Sequence, residues 1–259
     1  MSQKRDERKM SAGPLVELEL ANPFLLRDSF RMISAITDES PLKFSESGIH
    51  VRVLDLSEVS MIDLFIPKES FEEYTLSKEI TVTIRVSDML KFLKGTKGTE
   101  RSKIWLDENK LNFRLLGGVT KFFSIPVFQS EQKELPLPRI ELENSFVTNI
   151  SVIKSVIDNG KGISDSVEFY VKGPKLTISM ESELSSYGVE LSAEAGTISD
   201  QKLKDGSLAK YDLTRLSAIV TSIPQSQTKI SFDTAKPLKI EVKMAEGGTA
   251  VFFLAPRVE

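Results

Sequence analysis

The chain reads as a series of short alternating segments broken by a few helical ones. Ile49-His50-Val51-Arg52-Val53-Leu54 alternates apolar and polar side chains, as an antiparallel strand with one buried face requires. Val167-Glu168-Phe169-Tyr170-Val171 does the same in the second half. Four segments carry helical spacing instead. After Asn22-Pro23, a capping side chain followed by proline at the first helical position, Leu26, Phe30 and Ile33 share one face and Arg27, Arg31 and Ser34 another. Ser87 opens SDMLKFLKG, which Gly95 closes. Asn149 caps a helix that turns Ile150, Ile153 and Ile157 inward and stops at Gly160, and Asp212 caps DLTRLSAIVTSI, which stops before Pro224.

These segments recur in the same order. Lys103 to Pro126 (KIWLDENKLNFRLLGGVTKFFSIP) and Lys229 to Pro256 (KISFDTAKPLKIEVKMAEGGTAVFFLAP) both open on Lys-Ile-x-apolar-Asp. Both pass through a Gly-Gly pair, Gly117-Gly118 and Gly247-Gly248, and close on a Phe-Phe strand ending in proline. The predicted fold is α+β: two similar domains of antiparallel sheets with two helices each. The expected boundaries are an extension over 1–12, an N-terminal domain over 13–128, a connecting loop over 129–140 and a C-terminal domain over 141–259. In the polar connector QSEQKELPLPR, Leu135 and Leu137 stand out as apolar; packing on the sheet and forming the lip of a groove both remain open.

Composition narrows the chemistry. With 259 residues and 40% of them hydrophobic, the chain fills two compact domains. It has no cysteine, which removes disulfides, thiolate metal sites and cysteine nucleophiles. The single histidine, His50, lies on the polar side of a strand pattern and is a poor ligand or base on its own. No phosphate-binding glycine loop or nucleophile elbow is present, and the Gly-Gly pairs open no helix. Asp55 and Asp63 are the one carboxylate pair worth weighing for hydrolysis, and turn geometry accounts for them more simply. Met32, Met61 and Met89 fit the core. No catalytic residue, metal or cofactor is expected. Apolar runs such as Val251 to Ala255 are too short for a bilayer, and the charged N-terminus lacks the features of a secretory signal, so a cytoplasmic protein is expected. Net charge is −3, from 34 basic and 37 acidic residues, so any contact with a polyanion depends on how charge is distributed. Lys4, Arg5, Arg8 and Lys9 of the extension read as a solvated tail or as a minor nucleic-acid contact.

Four segments in order resemble the sliding clamps of the proliferating cell nuclear antigen family, in the archaeal style. They are GIHVRVLDLSEVSMIDLFIP (Gly48 to Pro67), the connector ELPLP (Glu134 to Pro138), KPLKIEV (Lys236 to Val242) and the ending VFFLAPRVE (Val251 to Glu259). The resemblance spans about residues 14–259. It implies a ring of three subunits, homotypic or mixed, whose helices line a channel around double-stranded DNA. Carried onto this sequence, the DNA-facing cations are Arg27, Arg31, Lys91, Lys94, Lys154, Lys161, Lys210 and Arg215. The pocket for peptides of DNA polymerase, clamp loader, ligase and flap nuclease falls on Leu54, Val59, Met61, Leu135, Pro136, Pro237, Phe253, Ala255, Pro256 and Val258. Glu58 stands where the family often has another polar side chain. The subunit contact falls on the strands Val119 to Ile125 (Val119, Lys121, Phe123, Ile125) and Ser185 to Leu191 (Tyr187, Val189, Leu191). A repair- or checkpoint-dedicated clamp subunit, a carboxylate hydrolase and a scaffold without DNA are the alternatives.

Overall fold

The computed structural model describes residues 13–129 and 135–257. In the first half β1 (Val16–Leu20) leads to α1 (Phe24–Ser34), β2 (Glu39–Ser45), β3 (Gly48–Leu54) and β4 (Ser60–Pro67). Then come β5 (Glu73–Leu76), β6 (Ile80–Arg85), α2 (Val86–Leu93), β7 (Arg101–Leu106), β8 (Lys110–Leu116), β9 (Lys121–Pro126) and the short β10 (Phe128–Gln129). The second half starts with β11 (Asn144–Asn149), α3 (Ile150–Gly160), β12 (Ser166–Lys172), β13 (Lys175–Glu181) and β14 (Ser186–Leu191). It ends with β15 (Ser199–Lys202), β16 (Leu208–Asp212), α4 (Leu213–Ser222), β17 (Gln227–Phe232), β18 (Leu238–Lys243) and β19 (Thr249–Leu254). Among the described residues this is an α+β chain with four helices and antiparallel sheets. The expected extension over 1–12 and part of the connector lie outside them.

The repeat is visible in the strand order. The succession β5-β1-β7-β8-β9 matches β15-β11-β17-β18-β19, and β6-β2-β3-β4 matches β16-β12-β13-β14. The halves differ in where those sheets end. β19 pairs with β4 and fuses two of them into one ten-stranded sheet, whereas β9 and β14 are outermost strands. The helices form a second layer, α1 against α2, α3 against α4, and α1 against α4. Between the layers lies a continuous core that includes Leu18, Met32, Ile62, Phe169, Tyr211, Phe232 and Phe252.

The local signals worked at three helix starts. Asn22 Oδ1 accepts from the Phe24 amide at 3.1 Å, Asn149 Oδ1 from Ser151 at 3.0 Å and Asp212 Oδ1 from Arg215 at 2.9 Å. The fourth differs. α2 begins one residue early, at Val86, and its cap comes from elsewhere: Asp38 Oδ1 accepts from the Ser87 amide at 2.8 Å. Gly95 follows α2 with φ +80°, whereas Gly160 is the last residue of α3 and owes its place to space, since a Cβ there would collide with Met180 Sδ.

The Phe-Phe correspondence is shifted by one residue. Phe113 faces Ile104 and Phe123, while Ile240 faces Ile230 and Phe252, so Phe123 matches Phe252 and not Phe253. Side chains alternate along a strand, so this slip turns Phe122 outward, 80% exposed, where Phe252 is buried.

Gly48 closes the β2–β3 hairpin with φ +140°, and a Cβ there would lie 2.1 Å from the Ile66 carbonyl oxygen. Gly48→Ala should therefore lower unfolding free energy by about 1–3 kcal/mol, because the obstructing atom is ladder backbone that cannot step aside. Urea unfolding at neutral pH measures this, and a stability equal to the parent would refute it.

Candidate functional site

The outer face of the fused sheet carries an apolar row across three strands. Leu54 on β3 faces Met61 on β4, and Met61 faces Phe253 on β19. Their neighbours Ile62 and Phe252 point to the core, so Met61 and Phe253 point away from it, yet they are only 3% and 6% exposed. The connector crosses at this point. Arg52 Nη1 donates to the Leu135 carbonyl at 2.9 Å, and its Nε donates to Asp63 at 2.7 Å. Leu135 is half-buried while Leu137 is 42% exposed. Val59 and Ala255 are joined at 2.8 Å, amide of Ala255 to carbonyl of Val59, and Pro237, Ala255 and Pro256 are partly exposed nearby in sequence and strand order. Pro136 is exposed, and Val258 lies outside the described residues.

The suspected carboxylate pair is engaged structurally. His50 Nε2 lies 2.6 Å from Asp63 Oδ1. Burial raises the Asp63 pKa, but the hydrogen bonds and charges of His50 and Arg52 outweigh it and hold it below the ordinary value. Asp55 accepts from the Val59 and Ser60 amides, both at 2.8 Å, and from Ser57 Oγ at 2.9 Å. It also forms an ion pair with Arg215 of α4. Arg215 reaches Ser57 Oγ at 2.7 Å as well. Thus Arg215, expected to face DNA, spans the junction between the halves, because capping by Asp212 aims the start of α4 at the β3–β4 hairpin.

The remaining expected cations are unequal. Arg27 is paired with Asp28 at 2.9 Å and stacks over Phe24, 4.1 Å from the ring centre. Arg31 reaches the Thr221 carbonyl on α4 at 3.3 Å. Lys91 pairs with Asp88 at 3.0 Å and Lys161 with Asp158 at 2.6 Å. Lys94 and Lys154 are exposed. Lys210 is not on a helix at all. It lies in β16 between buried Ala209 and Tyr211, leaves by the opposite face of the sheet and approaches Glu168 at 3.8 Å.

The expected contact strands are both edges, but their exposed side chains are different ones. Ile125 and Leu191 are buried, and Lys121 and Phe123 turn inward, Lys121 pairing with Glu100 at 2.8 Å. Val119 (71%) and Phe122 (80%) are the apolar groups left open, while Tyr187 and Val189 are half-buried. The row-mates Arg52 and Asp63 were legible as facing opposite charges on adjacent strands. Phe122 was masked by the false Phe-Phe alignment.

Residues 15–122 match the family described as "Proliferating cell nuclear antigen, N-terminal domain". The chain is 32% identical over 234 residues to DNA polymerase sliding clamp 2 of Sulfolobus acidocaldarius, covering 89% of this chain and 94% of that protein. The chain belongs to the proliferating cell nuclear antigen family. It is a DNA polymerase sliding clamp, of a family that acts by binding and not by catalysis. Two solved clamps share the fold. One is in the PCNA2–PCNA3 complex of Sulfolobus tokodaii, with TM-score 0.84, 27% identity, and 94% of this chain and 100% of that one covered. The other is the A. fulgidus clamp bound to the C-terminal region of FEN-1, with TM-score 0.83, 22% identity, and 94% and 99% covered.

In this clamp the Asp55 carboxyl is held at about 2 against an ordinary 3.8; burial opposes ionisation, and the bonds from Ser60, Arg215, Ser57 and Val59 overcome it. A lowered folded pKa stabilises above the unfolded value and is lost as pH falls through the folded one. Asp55 should therefore contribute about 2 kcal/mol above pH 4 that disappears towards pH 2. Asp55→Asn should lower stability at neutral pH and flatten that part of the profile, as read by urea unfolding between about pH 5 and pH 2. An unchanged profile would exclude this role.

Proposed function

We propose that the chain is one subunit of a closed ring that encircles duplex DNA and holds replication and repair enzymes to it. The observation that carries this reading is the outer-face row Leu54–Met61–Phe253, turned away from the core on the face where Arg52 holds the Leu135 carbonyl of the connector. An apolar row beside a tethered loop suits a short amphipathic peptide that docks one helical turn. DNA polymerase, ligase, flap nuclease and the clamp loader would use it in turn. The A. fulgidus clamp, bound to the C-terminal region of FEN-1, supports this choice of ligand.

Sliding needs weak attraction to phosphates and no base contacts. Arg27, Arg31, Lys91, Lys154 and Lys161 offer that from the helical layer. Most are already paired with an acid or a carbonyl, which limits their grip on DNA. The ring closes by head-to-tail pairing of β9 with β14, which also removes two exposed edges. Such a protein works inside the cell, in the cytoplasm with the nucleoid. A second reading, a dedicated member of a mixed ring, draws on the PCNA2–PCNA3 complex of Sulfolobus tokodaii.

The test is titration of a synthetic peptide bearing aliphatic and aromatic anchors on one turn. Leu135→Ala with Phe253→Ala should weaken binding by about 1–3 kcal/mol per anchor. Parent affinity in that variant would remove the groove. On DNA, Lys91→Glu with Lys154→Glu should reduce stimulation of primer extension while leaving peptide affinity intact, and undiminished stimulation would count against the helical layer as the DNA-facing surface.

A further inference from the structure

The apolar row on the outer face leads into a recess at Leu54. The β3–β4 ladder continues to Leu54–Met61 and the β2–β6 ladder to Glu39–Arg85, but the β2–β3 ladder runs only from Ser45–Gly48 to Lys43–His50. The two middle strands therefore part beyond Lys43 and His50. Pro41 lies in the stretch of β2 that β3 no longer pairs, and it has no amide hydrogen to offer. A recess of about 640 Å³ opens there, within the size range that small ligands and short segments fill. Leu54 lines it together with Leu56, Phe128, Glu39, Arg85 and Asp88.

We propose that this recess is a second anchor point for peptides docked on the row Leu54–Met61–Phe253. It takes a flanking segment that carries an aliphatic side chain next to a lysine or arginine. This rests on the peptide-groove reading and adds which residues outside the docked turn decide between one peptide and another.

Three features favour such a flank as the occupant. The first is continuity. Leu54 belongs both to the row and to the recess, so a peptide seated on the row delivers its flank to the recess as a tethered group, and even a weak contact there adds to affinity. The second is exposed apolar surface. Leu56 in the β3–β4 hairpin is fully exposed and Phe128 of β10 is 62% exposed, and both line the recess. An aliphatic side chain entering it removes apolar surface from water on two sides. The third is charge. Arg85 leans towards Asp38 at 4.0 Å, and Asp88 pairs with Lys91 at 3.0 Å. Glu39 is exposed and has no ionic partner among the described residues. The charge left open in the recess is therefore negative, which selects a basic residue.

The experiment is titration of the full chain with three synthetic peptides. One is a core turn with its aliphatic and aromatic anchors; the others extend that core at one end or the other by a glycine spacer and a Leu-Lys pair. One of the extended peptides should bind the parent roughly 10-fold tighter than the core. Leu56→Ser and Glu39→Lys should each remove most of that gain and leave affinity for the core unchanged; both side chains are exposed, so the fold is not at stake. Exchanging the peptide lysine for glutamate should restore the gain on Glu39→Lys, because the charges are again opposite. Equal affinity for core and extended peptides, a gain that survives both substitutions, or a charge exchange that restores nothing would each overturn the proposal. So would a gain that appears only on dilution, when light scattering shows single chains, since a neighbouring copy would then be the occupant. A core that binds while its extensions add nothing defeats the second anchor alone. A parent that binds none of the three defeats the groove and the anchor together.

Discussion

The pairing of β19 with β4 is the constraint on which the other features depend. It makes one sheet from two halves and brings residues nearly two hundred positions apart into one cross-strand row. Without it Met61 and Phe253 would stand at separate edges, and the connector would have no apolar surface to cross. The same seam fixes α4 against the β3–β4 hairpin, so that Arg215 and Asp55 can meet. A buried carboxylate that accepts two amides, a hydroxyl and a guanidinium is fully satisfied, and a satisfied network of this kind resists hinge motion at the junction.

Much of this was readable because periodicity and caps are local properties. The alternation of β3 and β12, the asparagines before α1 and α3 and the aspartate before α4 all act within a few residues. What escaped were choices made at long range. Two adjacent phenylalanines look alike in either register, and only the ladder to β8 or β18 decides which one turns inward. Asp38 caps a helix almost fifty residues away. Lys210 sits just before a helix-capping aspartate, so it was read with the helix, although the buried Ala209 and Tyr211 on either side mark a strand.

The polar side chains that first invited thoughts of acid–base chemistry serve architecture. Asp63 steadies Arg52, Arg52 holds the connector, and His50 completes the set. Charges on the helical layer are likewise mostly balanced by near neighbours. Such a surface would attract a polyanion gently, as the DNA-facing role proposed for this layer requires.

One residue at the end of β9 bears on how the chain behaves while alone. In the internal seam Ala255 follows the last ladder pair and donates its amide to Val59 at 2.8 Å. The matching position on β9 is Pro126, which has no amide hydrogen. The free edge therefore stops abruptly, and a foreign strand cannot zip past it. Proline here sets the length of that edge: on an unpartnered chain the strip offered by β9 ends at Pro126, where a pairing strand gains no further bond.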